Sequence, residues 1–529
     1  MGLPCKLHLR RLCLPLLGGA LLSACGGSNG SSADAAMAGA TNPPAAPGTL
    51  LSAPPQLLSS LRATDLLLQL TGAASNTQLQ QLLSMIGSPV CDIAVYHIEY
   101  ATVGGANETT TASGALMVPS GTHSGCSGPR PVVLYAHATA TDRGFNIADL
   151  SNEENAEGLY LAAVFASQGY IVVAPNYVGY DTSTLPYDAF LVGEQQSEDM
   201  IDALLAARSA LPTAAAATST DSGRLFITGY SQGGYVALAT HRAMQASGMP
   251  VTASAPMSGP YALAAFVDAV FAGQVDGGAP IVAAMLFTSY QNSYGNIYPT
   301  PADVFSPQYA SGIDSLLPTT VARSQLYSEG KLPQYALFSP TPPAPAYASI
   351  TPATAPADLA PVFALGFGAG NLLTNDYRQS YLADAQSNPD GGFPTATTGA
   401  PAATPALAMR AALKRNDLRN WVPAQPVLLC GGDMDPQVFW SNAQLQQNYW
   451  LGQAPAVPSS VLDLDSTVSS GDAYAALRTQ FKLAKDAIAA LAVVKGATDS
   501  GYAAVETAYH STLVSPFCLA AVKAFFDAH

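Results

Sequence analysis

Apolar residues recur along the chain in short runs bounded by Gly, Pro and Asn, and these runs predict strands. The later runs are apolar throughout, as in strands that are buried on both faces of a sheet. Helical spacing between them, as over 155–168 and 198–211, predicts helices that connect successive strands. The predicted strands are 93–100, 114–118, 132–136, 171–174, 225–228, 252–255 and 427–430. The pattern predicts an α/β fold with a doubly wound, mostly parallel sheet.

The alternation of strands and helices stops between the sixth and seventh predicted strands. Residues 263–408 instead hold helical patches, at Leu263–Phe271 and Ile281–Tyr294, separated by proline-rich connectors. We expect this stretch to form a helical cap, or lid, on the fold rather than an independent domain. The remaining residues, 57–262 and 409–529, then form one α/β domain.

The N-terminal residues predict export. Lys6, Arg10 and Arg11 precede an apolar run that is too short for a comfortable membrane span, so residues 1–24 are interpreted as a signal peptide. Leu-Ser-Ala-Cys25 resembles a bacterial lipobox, whose cysteine is lipidated. The resemblance implies a membrane-anchored lipoprotein at the cell surface, outer membrane or periplasm, and an ordinary secreted protein is the alternative. Residues 25–56, rich in Gly, Ser, Ala and Pro, predict a flexible tether.

The overall composition limits the classes of protein. Because 49% of the residues are hydrophobic and only 11% are charged, the chain can bury a large core. A formal charge of −15 disfavours nucleic acid as a partner and leaves the lipidated N-terminus as the expected membrane contact. The oligomeric state is not predicted.

Four cysteines follow the predicted signal and tether: Cys91, Cys126, Cys430 and Cys518. An even number in an oxidising compartment predicts disulfides, and of the three pairings we favour Cys91–Cys126 with Cys430–Cys518. Buried free thiols are the alternative. Neither these cysteines nor the seven histidines show the spacing of metal ligands, so no metal or cofactor is expected.

Residues 224–234 contain the main chemical motif, a short apolar strand that runs into Gly-Tyr-Ser-Gln-Gly and then into a helical stretch. A strand that turns directly into a helix strains its turning residue, here Ser231, and the small neighbours Gly229 and Gly233 leave room for it. This is the context of a nucleophile elbow. Residues 26–30 also fit G-x-S-x-G but have no strand before them or helix after them. The motif at residues 229–233 therefore predicts acyl-transfer chemistry.

A serine hydroxyl needs a histidine to take its proton and a carboxylate to orient that histidine. On this fold the acid and then the histidine follow the serine. His510 satisfies this order, whereas His241 lies far along the elbow helix and His529 is the last residue. We predict that His510 lies in a loop before a closing helix at 516–527.

The acid is expected in the turn after the strand 427–430. Asp435 is favoured, because Asp433 lies within the glycine turn and is expected to bond its own backbone. Asp433 and Glu506 remain alternatives.

The oxyanion of the tetrahedral intermediate needs two convergent N–H groups. The N–H of Gln232, next to the nucleophile, and the N–H of Thr139, in the loop after the third predicted strand, are the candidates. His137 in the same loop is interpreted as a structural residue.

Taken together, these motifs resemble the α/β-hydrolase superfamily from about residue 90 to the end. The segments 135–137, 173–180 and 229–234, with the helical insertion, are similar to serine esterases of the secretory lipase type. The resemblance implies that the substrates are carboxylic esters, either small-molecule or lipid-like.

An acyl pocket and two other functions complete the predictions. Side chains that could line the pocket, or simply pack, are Tyr230, Met285, Phe287, Tyr290, Tyr294 and Tyr298. The first alternative function is a serine exopeptidase, in which Glu153 with Glu154, or Glu157, would hold the substrate amine. The second is a non-catalytic surface protein that uses the fold for binding.

Overall fold

The computed structural model describes residues 44–72, 77–151, 156–214, 218–390 and 399–529. From Ala45 onward they form one compact unit. The predicted signal peptide, Cys25 and most of the predicted tether lie outside the described residues.

Within the described residues, one sheet of nine strands has the order β1-β2-β3-β5-β4-β6-β7-β8-β9. The first three strands and β5 pair antiparallel, and every other pairing is parallel. The strands are β1 Gln56–Leu61, β2 Asp92–Val103, β3 Thr109–Ser120, β4 Gly128–Ala136, β5 Ile171–Pro175, β6 Ser219–Tyr230, β7 Ala253–Met257, β8 Val427–Gly431 and β9 Ser459–Asp463. This confirms the predicted α/β fold with a mostly parallel sheet.

Helices connect and flank these strands. Before β8 they are α1 Ala63–Gly72, α2 Thr77–Ile86, α3 Ala156–Val164, α4 Gly193–Ala210, α5 Gln232–Ser247, α6 Leu263–Phe271, α7 Ala279–Tyr294, α8 Pro307–Ala310, α9 Arg323–Ser328, α10 Ala360–Leu365, α11 Asn375–Ser387 and α12 Ala408–Asn416. After β8 they are α13 Ser441–Gln453, α14 Ala475–Val494, α15 Tyr502–Ala508 and α16 Ser515–Ala528. The helices α4 and α5 pack on each other and on the sheet, and α16 packs against α3.

Two edge strands were not predicted. β1 and β9 each pair with a single neighbour, and most of their residues stay at least partly exposed. Because an edge strand is only half covered, its sequence lacks the continuous apolar run of a central strand.

The predicted tether also extends too far. Leu50 bridges Tyr100 of β2, and the N–H of Gly48 donates to the Ala101 carbonyl at 2.9 Å. The backbone from residue 48 therefore already belongs to the sheet edge, and Leu50 packs against the core.

The helical insertion, defined here as residues 263–416, contains α6 to α12 and lies between β7 and β8. Its end is later than the predicted residue 408 because α12 packs on α6 and α7. Arg410 of α12 forms buried ion pairs with Asp268 at 2.7 Å and with Asp384 at 3.0 Å. These pairs join the first, middle and last parts of the insertion.

The C-terminal stretch Tyr502–Ala528 is the one helical segment among the described residues that is long and apolar enough to cross a membrane. Most of it is buried against the sheet and neighbouring helices. Its apolar composition is therefore explained by packing in the core.

Candidate active site

Ser231 lies at the tip of the turn between β6 and α5. Its backbone has φ 58° and ψ −120°, a strained conformation for a residue with a side chain. A Cβ on Gly233 would lie 1.9 Å from the Ala136 carbonyl oxygen, and one on Gly229 would lie 2.3 Å from the Gly233 carbonyl oxygen. The turn therefore requires glycine at both positions, as the motif predicts.

The structure brings the three predicted catalytic residues together. His510 Nε2 lies 2.9 Å from Ser231 Oγ, and His510 Nδ1 lies 2.7 Å from Asp435 Oδ2. Asp435 and His510 are buried, whereas Ser231 is partly exposed at a cavity wall. With the imidazole proton on Nδ1, that nitrogen donates to Asp435 and Nε2 is free to accept the serine proton.

Asp435 is held by the turn that follows β8. Its other oxygen, Oδ1, accepts the N–H groups of Gln437 at 2.9 Å and Val438 at 3.0 Å. Asp433, the first alternative, instead donates its N–H to Asp463 and does not contact His510. The turn thus aims one of its two carboxylates at the histidine.

His510 lies in a π-helical turn, Tyr509–Val514, and not in the predicted loop. This turn continues from α15 into α16, so the histidine is carried by a nearly continuous helical segment. The Tyr230 hydroxyl donates to the His510 carbonyl. This hydrogen bond anchors the histidine next to the elbow.

Two disulfides have the predicted pairing, Cys91–Cys126 and Cys430–Cys518. The second joins Cys430 in β8, shortly before Asp435, to Cys518 in α16, shortly after His510. It therefore links the two segments that carry the acid and the histidine.

A cavity of about 920 Å³ opens above Ser231. This volume lies within the range of small-molecule sites. Its apolar walls include Phe145, Phe190, Leu191, Phe266, Ile281, Val282 and Val438, and its polar walls include Glu157, Asp276, Arg323 and Tyr327.

The predicted acyl-pocket residues are mostly wrong. Tyr230 lines the cavity, but Met285, Phe287 and Tyr290 do not. They are buried in the packing of α7, where Phe287 contacts the rings of Phe305 and Tyr377 and the Tyr290 hydroxyl donates to the Leu191 carbonyl.

Tyr294 and Tyr298 are likewise held by polar partners away from the cavity, the first by Asn416 and the second by Asp314. The residues of α7 that line the cavity are Ile281 and Val282. Because α7 is apolar on nearly every side, its sequence pattern does not indicate which face meets the cavity.

The oxyanion loop, residues 137–141, follows β4 and includes both Ala138 and Thr139 in the cavity wall. Within the described part of the chain, the N–H groups of Thr139 and Gln232 have no protein acceptor, whereas the Ala138 N–H donates to Glu157. Both predicted oxyanion donors are therefore free to bind a substrate oxygen.

His137 is buried in a structural position. Its ring stacks on Tyr177 at 4.0 Å, and its two nitrogens face the carbonyls of Ala138 and Asn176. Burial lowers its pKa to about 4, although the two carbonyls favour the charged ring, and the contacts of His137 support the loop.

Two carboxyl groups, those of Glu157 and Asp276, line the cavity. Burial raises the pKa of Glu157 to about 7 and that of Asp276 to about 7. Glu157 begins α3, and Asp276 lies in the glycine-rich loop between α6 and α7. The sequence placed Glu157 near the pocket only under the exopeptidase alternative, and nothing local marks Asp276.

Other predicted residues lie elsewhere. Glu506 is on α15 and does not line the cavity. Glu153 and Glu154 are outside the described residues. Among the residues that the structure covers, no group of three His, Cys, Asp or Glu side chains could hold a metal ion.

Comparison with known proteins agrees with this geometry. Residues 160–257, from α3 through β7, match the prolyl oligopeptidase family. The chain is similar in structure to the rice cell wall degrading esterase LipA from Xanthomonas oryzae, with 25% sequence identity, 83% of this chain and 96% of that chain covered, and a TM-score of 0.61. The chain is an α/β-hydrolase.

A second similar structure supports the fold of this α/β-hydrolase. It is a putative hydrolase from Legionella pneumophila, with 18% identity, 90% of this chain and 97% of that chain covered, and a TM-score of 0.60. No curated protein matches the chain by sequence. The family match and the esterase neighbour together identify a serine hydrolase of the α/β fold.

Proposed function

We propose that this α/β-hydrolase cleaves carboxylic esters through an acyl-enzyme on Ser231, with His510 as the base and Asp435 as the orienting acid. One observation carries the proposal. An unbroken set of hydrogen bonds runs from Asp435 through His510 to the hydroxyl of a serine that is held at positive φ in a cavity wall.

In the proposed reaction, Ser231 Oγ attacks the ester carbonyl carbon while His510 Nε2 takes its proton. The N–H groups of Gln232 and Thr139 stabilise the oxyanion, and loss of one such donor costs about 3 kcal/mol. His510 then gives its proton to the departing alcohol oxygen, which leaves the acyl group on Ser231. A water molecule repeats the attack with His510 as base, and the carboxylic acid leaves.

An ester is a better candidate substrate than a peptide. The similar structure from Xanthomonas is an esterase, and one half of the cavity wall is apolar enough for an acyl chain. An exopeptidase would need a carboxylate that is free to hold an amine. Both oxygens of Glu157 already accept hydrogen bonds from Tyr135 or Ala138, which disfavours that role.

The test compares p-nitrophenyl esters of increasing acyl length with aminoacyl p-nitroanilides on the purified protein. We expect ester turnover in the wild type and a loss of roughly 10⁴-fold or more in Ser231→Ala. Fluorophosphonate should label the wild type and not the variant. Faster turnover of the anilides would favour the exopeptidase, and a wild type without labelling or turnover would favour the non-catalytic alternative.

We further propose that the helical insertion acts as a cap and that the protein is exported as a lipoprotein. Phe266, Ile281 and Tyr327 of the insertion line the cavity, which supports the first proposal. Two disulfides support export. In a bacterial host, Cys25→Ala should shift the protein from the membrane fraction to the soluble fraction and abolish fatty-acid labelling.

A further inference from the structure

The carbonyl groups of the oxyanion loop are held by side chains. The Ala138 carbonyl lies 2.6 Å from His137 Nδ1, and the Ala140 carbonyl accepts from the Tyr180 hydroxyl at 2.7 Å. The His137 carbonyl accepts from the Tyr177 hydroxyl at 3.1 Å. Three aromatic residues therefore restrict the rotation of the 137–138, 138–139 and 140–141 peptide groups, the second of which carries the Thr139 N–H.

Among the residues that the structure describes, Glu157 is the side-chain acceptor of the Ala138 N–H in this loop. Its two carboxylate oxygens lie 3.2 and 3.1 Å from the Ala138 nitrogen, and Oε1 also accepts from the Tyr135 hydroxyl at 2.6 Å. Tyr135 belongs to β4 and Glu157 to α3. One carboxyl group thus connects the end of the central strand, the first turn of the loop and the next helix.

These contacts fix the direction of the Thr139 N–H. The Ala138 carbonyl and the Thr139 N–H belong to one planar trans peptide group, so they point in opposite directions. His137 fixes that peptide group through its carbonyl, and Glu157 fixes the preceding one through its N–H. Without Glu157, the Ala138 N–H would lose its acceptor, and the peptide group between His137 and Ala138 would be held only through its carbonyl, by the Tyr177 hydroxyl.

We propose that Glu157 is a positioning residue that orients the Thr139 N–H toward the oxyanion, an assignment that rests on the proposed ester hydrolysis at Ser231. Glu157 contacts neither the nucleophile nor the histidine, and it acts through the Ala138 peptide group. Its effect is therefore expected on the stabilisation of the transition state and not on the binding of the ground-state ester.

The experiment compares Glu157→Ala and Glu157→Gln with the wild type and with Glu198→Ala. Glu198 is a matched control because it is exposed on α4 and does not line the cavity. The measurements are kcat and KM for p-nitrophenyl butyrate, and the inhibition constant of an alkyl trifluoromethyl ketone, whose serine adduct carries an oxyanion.

For Glu157→Ala we expect kcat to fall roughly 10- to 100-fold with KM within about threefold of the wild type. The inhibition constant of the ketone should rise by the same factor as kcat/KM falls. Glu157→Gln should recover to within roughly fivefold of the wild type, because its amide oxygen can accept the Ala138 N–H and its amide N–H can donate to the Tyr135 oxygen. Glu198→Ala should behave as the wild type.

Unchanged kcat and ketone affinity in Glu157→Ala would overturn the assignment, as would a fall in kcat without any change in ketone affinity. If Glu157→Ala does not fold, Tyr135→Phe, which removes the hydroxyl that holds the Glu157 carboxylate, should lower kcat and ketone affinity together by a smaller factor, and no change in either would overturn the assignment. Preferential loss of aminoacyl anilide turnover in Glu157→Gln would reject positioning in favour of amine binding. A wild type that does not hydrolyse the butyrate ester would refute the proposed function itself, which is a separate outcome.

Discussion

Two histidine–aspartate pairs in this molecule have the same separation but different surroundings. His510 Nδ1 lies 2.7 Å from Asp435, and His97 Nε2 lies 2.7 Å from Asp181. Each pair has a serine within hydrogen-bond distance. Residue types and distances alone therefore do not distinguish the two clusters.

The order of the hydrogen bonds distinguishes them. In the first cluster the imidazole lies between the carboxylate and Ser231, so it can take the serine proton. In the second cluster the carboxylate is in the middle, because Ser113 Oγ donates directly to Asp181 at 2.6 Å. His97 has no contact with Ser113 and cannot act as its base.

The backbone differs as well. Ser113 is a fully buried residue in the middle of β3, whereas Ser231 is presented to a cavity by a strained turn. Burial tends to raise the pKa of Asp181, but the hydrogen bonds from His97 and Ser113 lower it below its ordinary value. The second cluster therefore joins β2, β3 and the segment after β5 through side-chain hydrogen bonds.

The largest expected difference between the clusters comes from replacing each histidine. His510→Ala should reduce kcat/KM for a p-nitrophenyl ester by roughly 10⁴-fold or more, because the serine loses its base. His97→Ala should leave kcat/KM within about threefold of the wild type. A large loss of activity in folded His97→Ala would show that the second cluster is coupled to catalysis.

Replacing each aspartate by asparagine should have the next largest effect. Asp435→Asn is expected to lower kcat by roughly 10³- to 10⁴-fold, because the amide no longer fixes the Nδ1–H tautomer of His510. Asp181→Asn should retain activity but lose roughly 1–3 kcal/mol of unfolding free energy, since it weakens buried hydrogen bonds. Denaturant unfolding and ester kinetics on both variants separate the two effects, and equal losses of activity would contradict the comparison.

The pH dependence of stability should be the smallest effect. Its sign differs between carboxyl groups whose pKa is raised in the folded protein and those whose pKa is lowered. Burial raises the pKa of Glu157 and Asp276 to about 7 and that of Asp188 to about 8. Because these pKa values are higher in the folded than in the unfolded protein, the three carboxyl groups stabilise the fold fully below about pH 4. This stabilisation is lost as the pH rises through about 7 to 8. The lowered pKa of Asp181 instead gives a contribution that is lost in acid.

The unfolding temperature should therefore be higher near about pH 5.5 than near about pH 9. Glu157→Gln should reduce that difference, and Asp181→Asn should reduce the loss of stability in acid. An unfolding temperature that rises steadily toward about pH 9 would contradict this assignment of the buried carboxyls.

The comparison also shows how far sequence analysis reaches. The elbow was predictable because its strain and its two glycines lie within five residues, and His510 followed from the order of the chain. Asp435 could be favoured over Asp433 as the catalytic acid because Asp433 lies within the glycine turn, where its carboxylate is expected to bond its own backbone. In each case the physical constraint is local or follows from chain order.

The predictions that were wrong depend on which surfaces meet in the folded chain. The helix α7 is apolar on several faces, so its sequence did not decide that Ile281 and Val282, and not Met285 or Phe287, line the cavity. The edge strands β1 and β9 lack a strong apolar pattern, and the π-helical turn at His510 has no local signature.

By itself, the sequence determined the α/β fold, the nucleophile elbow and the candidates for its partners, and it favoured one of three cysteine pairings. Only the tertiary structure decided that the imidazole lies between Asp435 and Ser231, that Asp181 lies between His97 and Ser113, and that Glu157 holds the oxyanion loop. The reason is physical: backbone strain and apolar periodicity act over a few residues, whereas the order of hydrogen bonds among side chains depends on how distant segments pack.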